Sequence, residues 1–382
     1  MSTRFERLSL SPRLVDWSIF VLLALELGSG LVSLVTGRPG GWVVFVAHSI
    51  GGLCLVVLVF WKLKRVRKRV TRPAAWDRAT PVSVLLAAVT LGALGSGIAW
   101  VLGGSLALGP WGLLNLHIGL GLVGVVVVAI HLRHRFRPPR TSDIEGRRTV
   151  LSYLALVGIG ALAWRLQGTF NGLLKTAGAD RRFTGSREEG SGAGNDFPVT
   201  SWVADDPDPI DVEAWELTVT GEVDRNLSVG YDGIAPGGPG APGEGGEGGS
   251  EAGQEERNNG HLRATLDCTS GWYSVHDWRG VRVGNLLAEA DVTENARWVS
   301  FRSVTGYRWS LPTEEARDAL LATHVGGERL THGHGAPLRL VAPGRRGFQW
   351  VKWVTEVEAR ERKDPGQWLA VFVSGFDGDG EG

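Results

Sequence analysis

The chain divides by the spacing of its apolar residues. Up to about residue 168 they come in long runs. Five of these, at 16–36, 42–61, 81–103, 111–132 and 149–168, approach the ~20 residues a helix needs to cross about 30 Å of hydrocarbon. Beyond residue 195 the runs give way to short segments. Residues 215–220 alternate apolar and polar side chains, the two-residue period of a half-buried strand. Further strands are predicted at 263–266, 298–302, 338–342, 349–358 and 368–373, and helices at 286–290 and 314–322. Such a mixture predicts an α+β domain rather than a doubly wound sheet. The expected organisation is a cytoplasmic N-terminal tail (1–15), an all-α transmembrane bundle of five spans (16–168), a flexible linker (169–194), an α+β domain (195–364), and a final strand with an acidic, glycine-rich tail (365–382). Residues 236–259, dominated by glycine, proline and glutamate, are too poor in apolar groups to bury a core and are expected to form a disordered insertion.

Charge gives the bundle a direction. Forty lysines and arginines balance forty acids, so no net field favours nucleic acid as a partner. Locally, Lys62-Leu-Lys-Arg-Val-Arg-Lys-Arg69 follows the second span, and His131-Leu-Arg-His-Arg-Phe-Arg137 with Arg147 and Arg148 separates the fourth from the fifth. Loops 37–41 and 103–110 are nearly uncharged. The positive-inside rule then predicts a multi-pass protein of the cell membrane, N-terminus in the cytoplasm and C-terminal half outside. Arg4, Arg7 and Arg13 precede a full-length span, so no cleavable signal peptide is expected. Gly146-Arg-Arg-Thr-Val-Leu-Ser152 resembles a twin-arginine export signal in an internal position, and fits an ordinary cytoplasmic flank equally well.

The first four spans repeat. Leu27-Gly-Ser-Gly30 in the first matches Leu94-Gly-Ser-Gly97 in the third. Trp42 and Trp111 each lie six residues before a histidine, His48 and His117. Two imidazoles at equal depth could bind one haem iron from opposite faces, with glycines allowing close approach; the alternative is hydrogen bonding across helices. The bundle resembles small four-helix b-type cytochromes that serve as membrane subunits of oxidoreductases. That resemblance implies a haem b, and the two histidines, roughly 9 Å along their helices from the outer end, would place it on the side of the soluble domain. His131 follows His117 by fourteen residues, a spacing similar to that of two-haem cytochromes, but the matching position in the second span is Lys62. His131 is therefore read as mainly interfacial, with a second haem or a quinone contact as the lesser option.

Two cysteines, Cys54 and Cys268, exclude a disulfide scaffold and a cysteine-rich zinc or iron–sulfur site. Cys54 lies in the second span, so Cys268 has no disulfide partner if that span is in the membrane. The stretch Arg263-Ala-Thr-Leu-Asp-Cys-Thr-Ser-Gly-Trp-Tyr-Ser-Val-His-Asp-Trp-Arg-Gly-Val281 reads as a strand end and turn. A thiol there is either a small buried hydrophobe or a metal-ligating or nucleophilic thiolate.

Linked motifs around Cys268 resemble the oxidoreductase molybdopterin-binding domain shared by sulfite oxidases and periplasmic protein-methionine-sulfoxide reductases. The likeness covers about 195–360. It runs through Trp272, Trp278, Gly280, Leu286-Leu287 and Trp298-Val-Ser-Phe301, and resumes at Gly333-His-Gly-Ala-Pro-Leu-Arg-Leu-Val-Ala-Pro343 and Trp350-Val-Lys-Trp-Val354. The resemblance implies that Cys268 is the protein thiolate on molybdenum. It also implies that Arg339 and Lys352 hold the anionic phosphate of molybdopterin, with Trp350 and Val351 beside them. By the same similarity Asn195, Pro198 and Val199 approach the cofactor from the entry strand, and Ser303 and His334 are pterin contacts. Tyr273, His276 and His324 are the nearest polar candidates for substrate contact or proton delivery.

Two departures weaken a sulfite site. Thr323 stands where sulfite oxidases have a tyrosine, and Thr269-Ser-Gly-Trp272 stands where they have arginines. The expected protein is a membrane-anchored molybdenum oxidoreductase acting on a small extracytoplasmic substrate, exchanging electrons through haem b with quinone or another respiratory carrier. The alternatives are a sulfite-oxidase-like dehydrogenase and a non-catalytic scaffold of a respiratory complex. A scaffold would have lost its ligand motifs, whereas Cys268, Arg339 and Lys352 are intact.

Overall fold

The computed structural model describes residues 10–108, 111–136, 138, 147–201, 205–235 and 260–374. The predicted insertion at 236–259 lies outside the described residues, as do 1–9 and 375–382. The chain forms two compact units, Met1–Arg187 and Glu188–Gly382.

The first unit contains the helices α1 (Pro12–Val35), α2 (Trp42–Val70), α3 (Thr80–Val101), α4 (Leu113–Arg135) and α5 (Arg147–Leu174). Each is long and apolar enough to cross a membrane. They match the five predicted spans but run further at several ends, where polar groups satisfy the terminal backbone. Ser11 caps α1 by accepting the Leu14 N–H, with Pro12 in the first turn. Arg67, Lys68 and Arg69 oppose the dipole at the end of α2. α1 packs on α2, α3 on α4, and α5 on α2. Cys54 is buried in the last contact, its thiol donating to the Leu156 carbonyl at 3.5 Å. Apolar side chains such as Phe60, Leu122 and Leu154 face outward, a surface matched to hydrocarbon rather than water.

The second unit is built from two sheets. In chain order its strands are β1 (Glu216–Gly221), β2 (Leu227–Gly230), β3 (His261–Asp267), β4 (Trp272–Arg282), β5 (Trp298–Ser303), β6 (Arg308–Pro312), β7 (Leu320–Val325), β8 (Glu328–Arg329), β9 (Arg339–Val341) and β10 (Val354–Arg360). One sheet has β4 at its centre, antiparallel to β3 and β7, and β7 also pairs with β8 and β9. The other runs β2–β1–β10–β5–β6, with β10 parallel to β1 and antiparallel to β5. A single core fills the unit, with Leu217, Trp278, Phe301, Leu311 and Leu320 wholly enclosed.

Several local expectations fail where tertiary pairing decides. Residues 314–322 were expected as one helix. The helix is only Thr313–Arg317, and the chain then enters β7, which pairs along its two edges with β4 and β9 and is buried at every residue but His324. The expected last strand at 368–373 is the helix Gln367–Val373. Asp364 accepts the Gly366 N–H at its start, and Trp368 packs edge-on to Trp309 at 5.0 Å. The expected strand at 349–358 is broken by Trp353, whose φ of 51° interrupts pairing, so β10 begins at Val354. The expected linker at 169–194 is ordered by pairing toward its end: Glu189 donates to the Tyr273 carbonyl at 2.9 Å, and Gly192 to Val275 at 3.0 Å.

Candidate active site

Cys268 begins the tight turn between β3 and β4. Its N–H donates to the Trp272 carbonyl at 2.9 Å, and its carbonyl accepts the Gly271 N–H at 3.2 Å. Gly271 has φ of 101°, where side chains are rarely tolerated. The thiol is buried, 3.1 Å from the Ser270 hydroxyl, and accepts the Ser270 N–H at 3.5 Å. The turn is fixed from behind by Arg346. This guanidinium donates to Asp267 at 2.8 Å and to the Cys268 carbonyl at 3.0 Å. Both charged side chains are almost wholly buried, at 4% and 3% exposure. Sequence reasoning missed Arg346. The available signal was Asp267, a carboxylate on an otherwise buried strand end, which needs a cation nearby.

Arg339 and Lys352 form the cationic side of the site. Arg339 sits on β9 opposite Ala322, buried, its guanidinium carbon 5.7 Å from the Trp278 ring and 5.9 Å from Trp350. It donates to the His334 carbonyl at 2.9 Å, while its Nε is buried without a partner. Lys352 Nζ donates to the Gly333 carbonyl at 2.6 Å and to Ser201 at 2.9 Å. Among the described residues neither cation has a salt-bridged carboxylate. Burial pushes Arg339 down to about 10, with the negative field of Cys268 opposing that shift. Burial and then Arg339 push Lys352 down to about 7, opposed by Asp205 and Cys268. The thiol and both cations thus lie in one electrostatic field. A buried guanidinium with an unpartnered Nε, together with a lysine that has no salt-bridged carboxylate among the described residues, suits an anion, and a thiolate suits a soft metal. These residues fit a molybdenum cofactor with an anionic pterin tail.

Ser303 is buried at the end of β5, its hydroxyl 3.1 Å from Thr305. Thr305 donates in turn to Asp205, whose carboxyl is raised by burial although Thr305 and Lys352 pull it down. Trp350 and Val351 are both buried, the Trp350 ring lying near the arginine and the Val351 carbonyl accepting the Leu340 N–H at 2.8 Å.

Other expected site residues are committed to the fold. Side chains alternate along β4, which turns His276 inward, so it is not an exposed contact for substrate. It is wholly buried, 2.6 Å from Ser274, with Phe197 stacked on it at 4.4 Å. His334 packs on the other side of Phe197 at 3.9 Å. Its Nε2 donates to the Phe197 carbonyl at 3.0 Å, and its Nδ1 accepts from Thr331 at 2.8 Å. Burial pushes both histidines down to about 4, so both are neutral at neutral pH. Asn195 holds the β8 turn, donating to Glu328 and the Arg329 carbonyl and accepting the Thr331 N–H at 3.0 Å. Pro198 is half-buried and Val199 exposed. Tyr273 is half-buried on the opposite face of β4 from His276. His324 bonds Thr323 at 2.8 Å, just past an irregularity in the pairing of β7 with β4. No hydrogen bond joins Tyr273 or His324 to Cys268, Arg339 or Lys352 among the described residues.

In the first unit, His48 and His117 are brought together. Their ring centroids are 6.0 Å apart and the planes nearly perpendicular, at 88°. Two imidazoles sharing a metal through bonds of about 2 Å place their centroids about 6 Å apart. His48 Nδ1 lies 2.9 Å from Ser29 and 3.1 Å from Glu26, and His117 Nδ1 lies 2.8 Å from the Ala93 carbonyl. Such partners fix ring orientation and leave Nε2 for a metal. A Cβ at Gly97 would fall 3.0 Å from His117, so the glycine makes room for the ring. Glu26, missed from sequence, is the acid beside His48. His131 lies apart, 3.2 Å from Ser83.

Residues 204–368 match the family described as Oxidoreductase molybdopterin binding domain. The chain is 29% identical over 175 residues to Uncharacterized oxidoreductase YuiH of Bacillus subtilis (strain 168), covering 45% of this chain and 78% of YuiH. It is 28% identical over 176 residues to Protein-methionine-sulfoxide reductase catalytic subunit MsrP of Xanthomonas campestris pv. campestris, covering 42% of this chain and 49% of MsrP. The chain thus spans about half the length of that reductase subunit. The sulfane dehydrogenase SoxCD from Paracoccus pantotrophus aligns with a TM-score of 0.33 and 23% identity over 41% of this chain and 40% of that one, a likeness too slight to carry weight. Residues 204–368 of the C-terminal unit, which include Cys268, Arg339 and Lys352, thus carry a molybdopterin-binding oxidoreductase domain similar to those of the sulfite oxidase and MsrP type.

Proposed function

We propose that this chain is a membrane-anchored molybdenum oxidoreductase. Its C-terminal unit works outside the cytoplasm and exchanges electrons with quinone through a haem b held by His48 and His117. The observation that carries the reading is the buried Arg339 guanidinium between the Trp278 and Trp350 rings, its Nε without a partner, while neither it nor Lys352 has a salt-bridged carboxylate among the described residues. Cys268 would supply the protein thiolate, and Arg339 and Lys352 would hold the anionic tail. The cofactor supplies oxygen-atom transfer coupled to two electrons. Arg346 keeps the thiol aimed, and the Trp278 and Trp350 rings keep water from the arginine. Five apolar helices with cationic flanks support the anchoring and the orientation. The 6.0 Å spacing of the two imidazoles supports the haem.

The substrate class we assign is a sulfoxide. One relative is by name a methionine-sulfoxide reductase, and Thr323 and Thr269–Trp272 depart from the residues expected around sulfite. The test is purification of the full chain with molybdenum analysis, a Mo(V) paramagnetic resonance spectrum and a visible haem spectrum. Cys268→Ala should lose molybdenum and sulfoxide turnover. Retention of both would refute the assigned ligand. A b-type spectrum that is absent, or that survives His48→Ala, would remove the electron route.

A further inference from the structure

The first unit contains a cleft whose lining includes repeat-related residues. A cleft of about 780 Å³ opens between α1, α2, α3 and α4 near the cationic ends of α2 and α4. Part of its polar lining comes in repeat-related pairs. Asp16 lies eleven residues before the Leu27 motif and Ser83 eleven before the Leu94 motif. Lys62 and His131 each follow the histidine of their helix by fourteen residues. The paired positions make paired contacts: Lys62 Nζ lies 3.0 Å from Asp16, and Ser83 lies 3.2 Å from His131 Nδ1. Arg65 also donates to Asp16, and its counterpart, His134, lines the same cleft. Trp17, Phe20 and Phe136 cluster on one wall, their centroids 5.3–6.3 Å apart.

We propose that this cleft binds a para-quinone. This deepens the electron route proposed above and rests on it only for the identity of the electron partner. The volume is within the ~300–1,000 Å³ typical of small-molecule sites. A flat apolar ring fits the aromatic wall. Its two carbonyls, at opposite ends of the ring, require two donor groups from opposite sides. The repeat supplies them, Lys62 from one half and His131 with Ser83 from the other. The same break in the repeat argues against a second haem, since the position opposite His131 is a lysine tied to Asp16 rather than a second imidazole. At 1.5 Å per residue these donors sit roughly 21 Å along the helices from His48 and His117. That separation puts the two sites toward opposite faces of a bilayer about 30 Å thick.

The test uses the full chain in phosphatidylcholine nanodiscs, titrated with a short-tailed para-benzoquinone by equilibrium binding, with haem absorbance read on the same samples. Saturable binding of one quinone per chain is expected. Lys62→Met and His131→Phe should each weaken it about tenfold or more, the loss of one hydrogen bond to a strong donor. Ser83→Ala, a change that removes only a hydroxyl, should weaken it less if either larger substitution fails to fold. His48→Ala should abolish the haem band and keep quinone binding. If the wild-type chain binds quinone without any haem, the haem reading fails and this inference stands. Absence of saturable binding, or wild-type affinity in all three cleft variants, overturns it. So does a second haem per chain that disappears in His131→Phe, or displacement of the quinone by an anionic phospholipid.

Discussion

Arg346 lies 2.8 Å from Asp267, and the same guanidinium reaches the Cys268 carbonyl at 3.0 Å. The turn that presents the thiol is therefore held by an ion pair buried at both ends. Arg346→Leu removes the cation paired with Asp267, and breaking one side of a buried pair costs about 3–5 kcal/mol. Denaturant unfolding of the full chain should show the C-terminal unit destabilised by that order. Molybdenum occupancy should fall as well. Arg346→Lys retains the charge but not the fork, and should recover more stability than occupancy.

Gly271 closes the Cys268 turn at φ of 101°. Gly271→Ala forces a side chain into a sparsely populated region, at about 1–3 kcal/mol. The expected result is a lower unfolding midpoint and less bound molybdenum per chain. An unchanged midpoint would mean that the turn relaxes freely, contrary to its two backbone hydrogen bonds.

His276 and His334 give the unit an acid limit. Both are pushed from 6.5 down to about 4 in the fold, chiefly by burial. Between those values the unfolded chain binds more protons than the native one, so stability falls as pH drops from about 6.5 toward 4. His276→Phe, flanked by Phe197 and Trp278, should flatten that decline. An identical pH dependence in the variant would show that the histidine does not titrate as its burial implies.

Gly97 permits His117 to lie against α3. A Cβ there would be 3.0 Å from the ring. Gly97→Val should displace the imidazole and reduce the b-type haem absorbance of the purified chain, while leaving molybdenum content unchanged. Loss of both cofactors together would indicate global misfolding and not a local effect on the ring.

The spans were legible because long apolar runs and clustered cations survive any detail of packing. The α+β character was legible for a related reason: short alternating segments such as 215–220 bury one face whatever their partners are. Leu320–Val325 was not legible as a strand. Leucine and alanine suit a helix, and only pairing with β4 on one side and β9 on the other makes the extended form the better burial. Gln367–Val373 failed in the opposite sense, since its aromatic and β-branched residues suit a strand while its neighbours offer a helix site against Trp309.

The sequence by itself marked the candidate groups: one thiol outside the apolar runs and two cations in linked motifs in the second unit, and two repeat-matched histidines in the first. These follow from residue type and spacing, which need no third dimension. Only the tertiary structure decided what surrounds them. It brought Arg346 to Asp267 and Cys268 from 78 or more residues away, a contact that spacing cannot encode. It turned His276 into the core, because a strand alternates its faces and Trp278 had already fixed which one is inside. It also set Glu26 against His48, and Asp16 and Ser83 against Lys62 and His131, since helix packing alone chooses which faces meet.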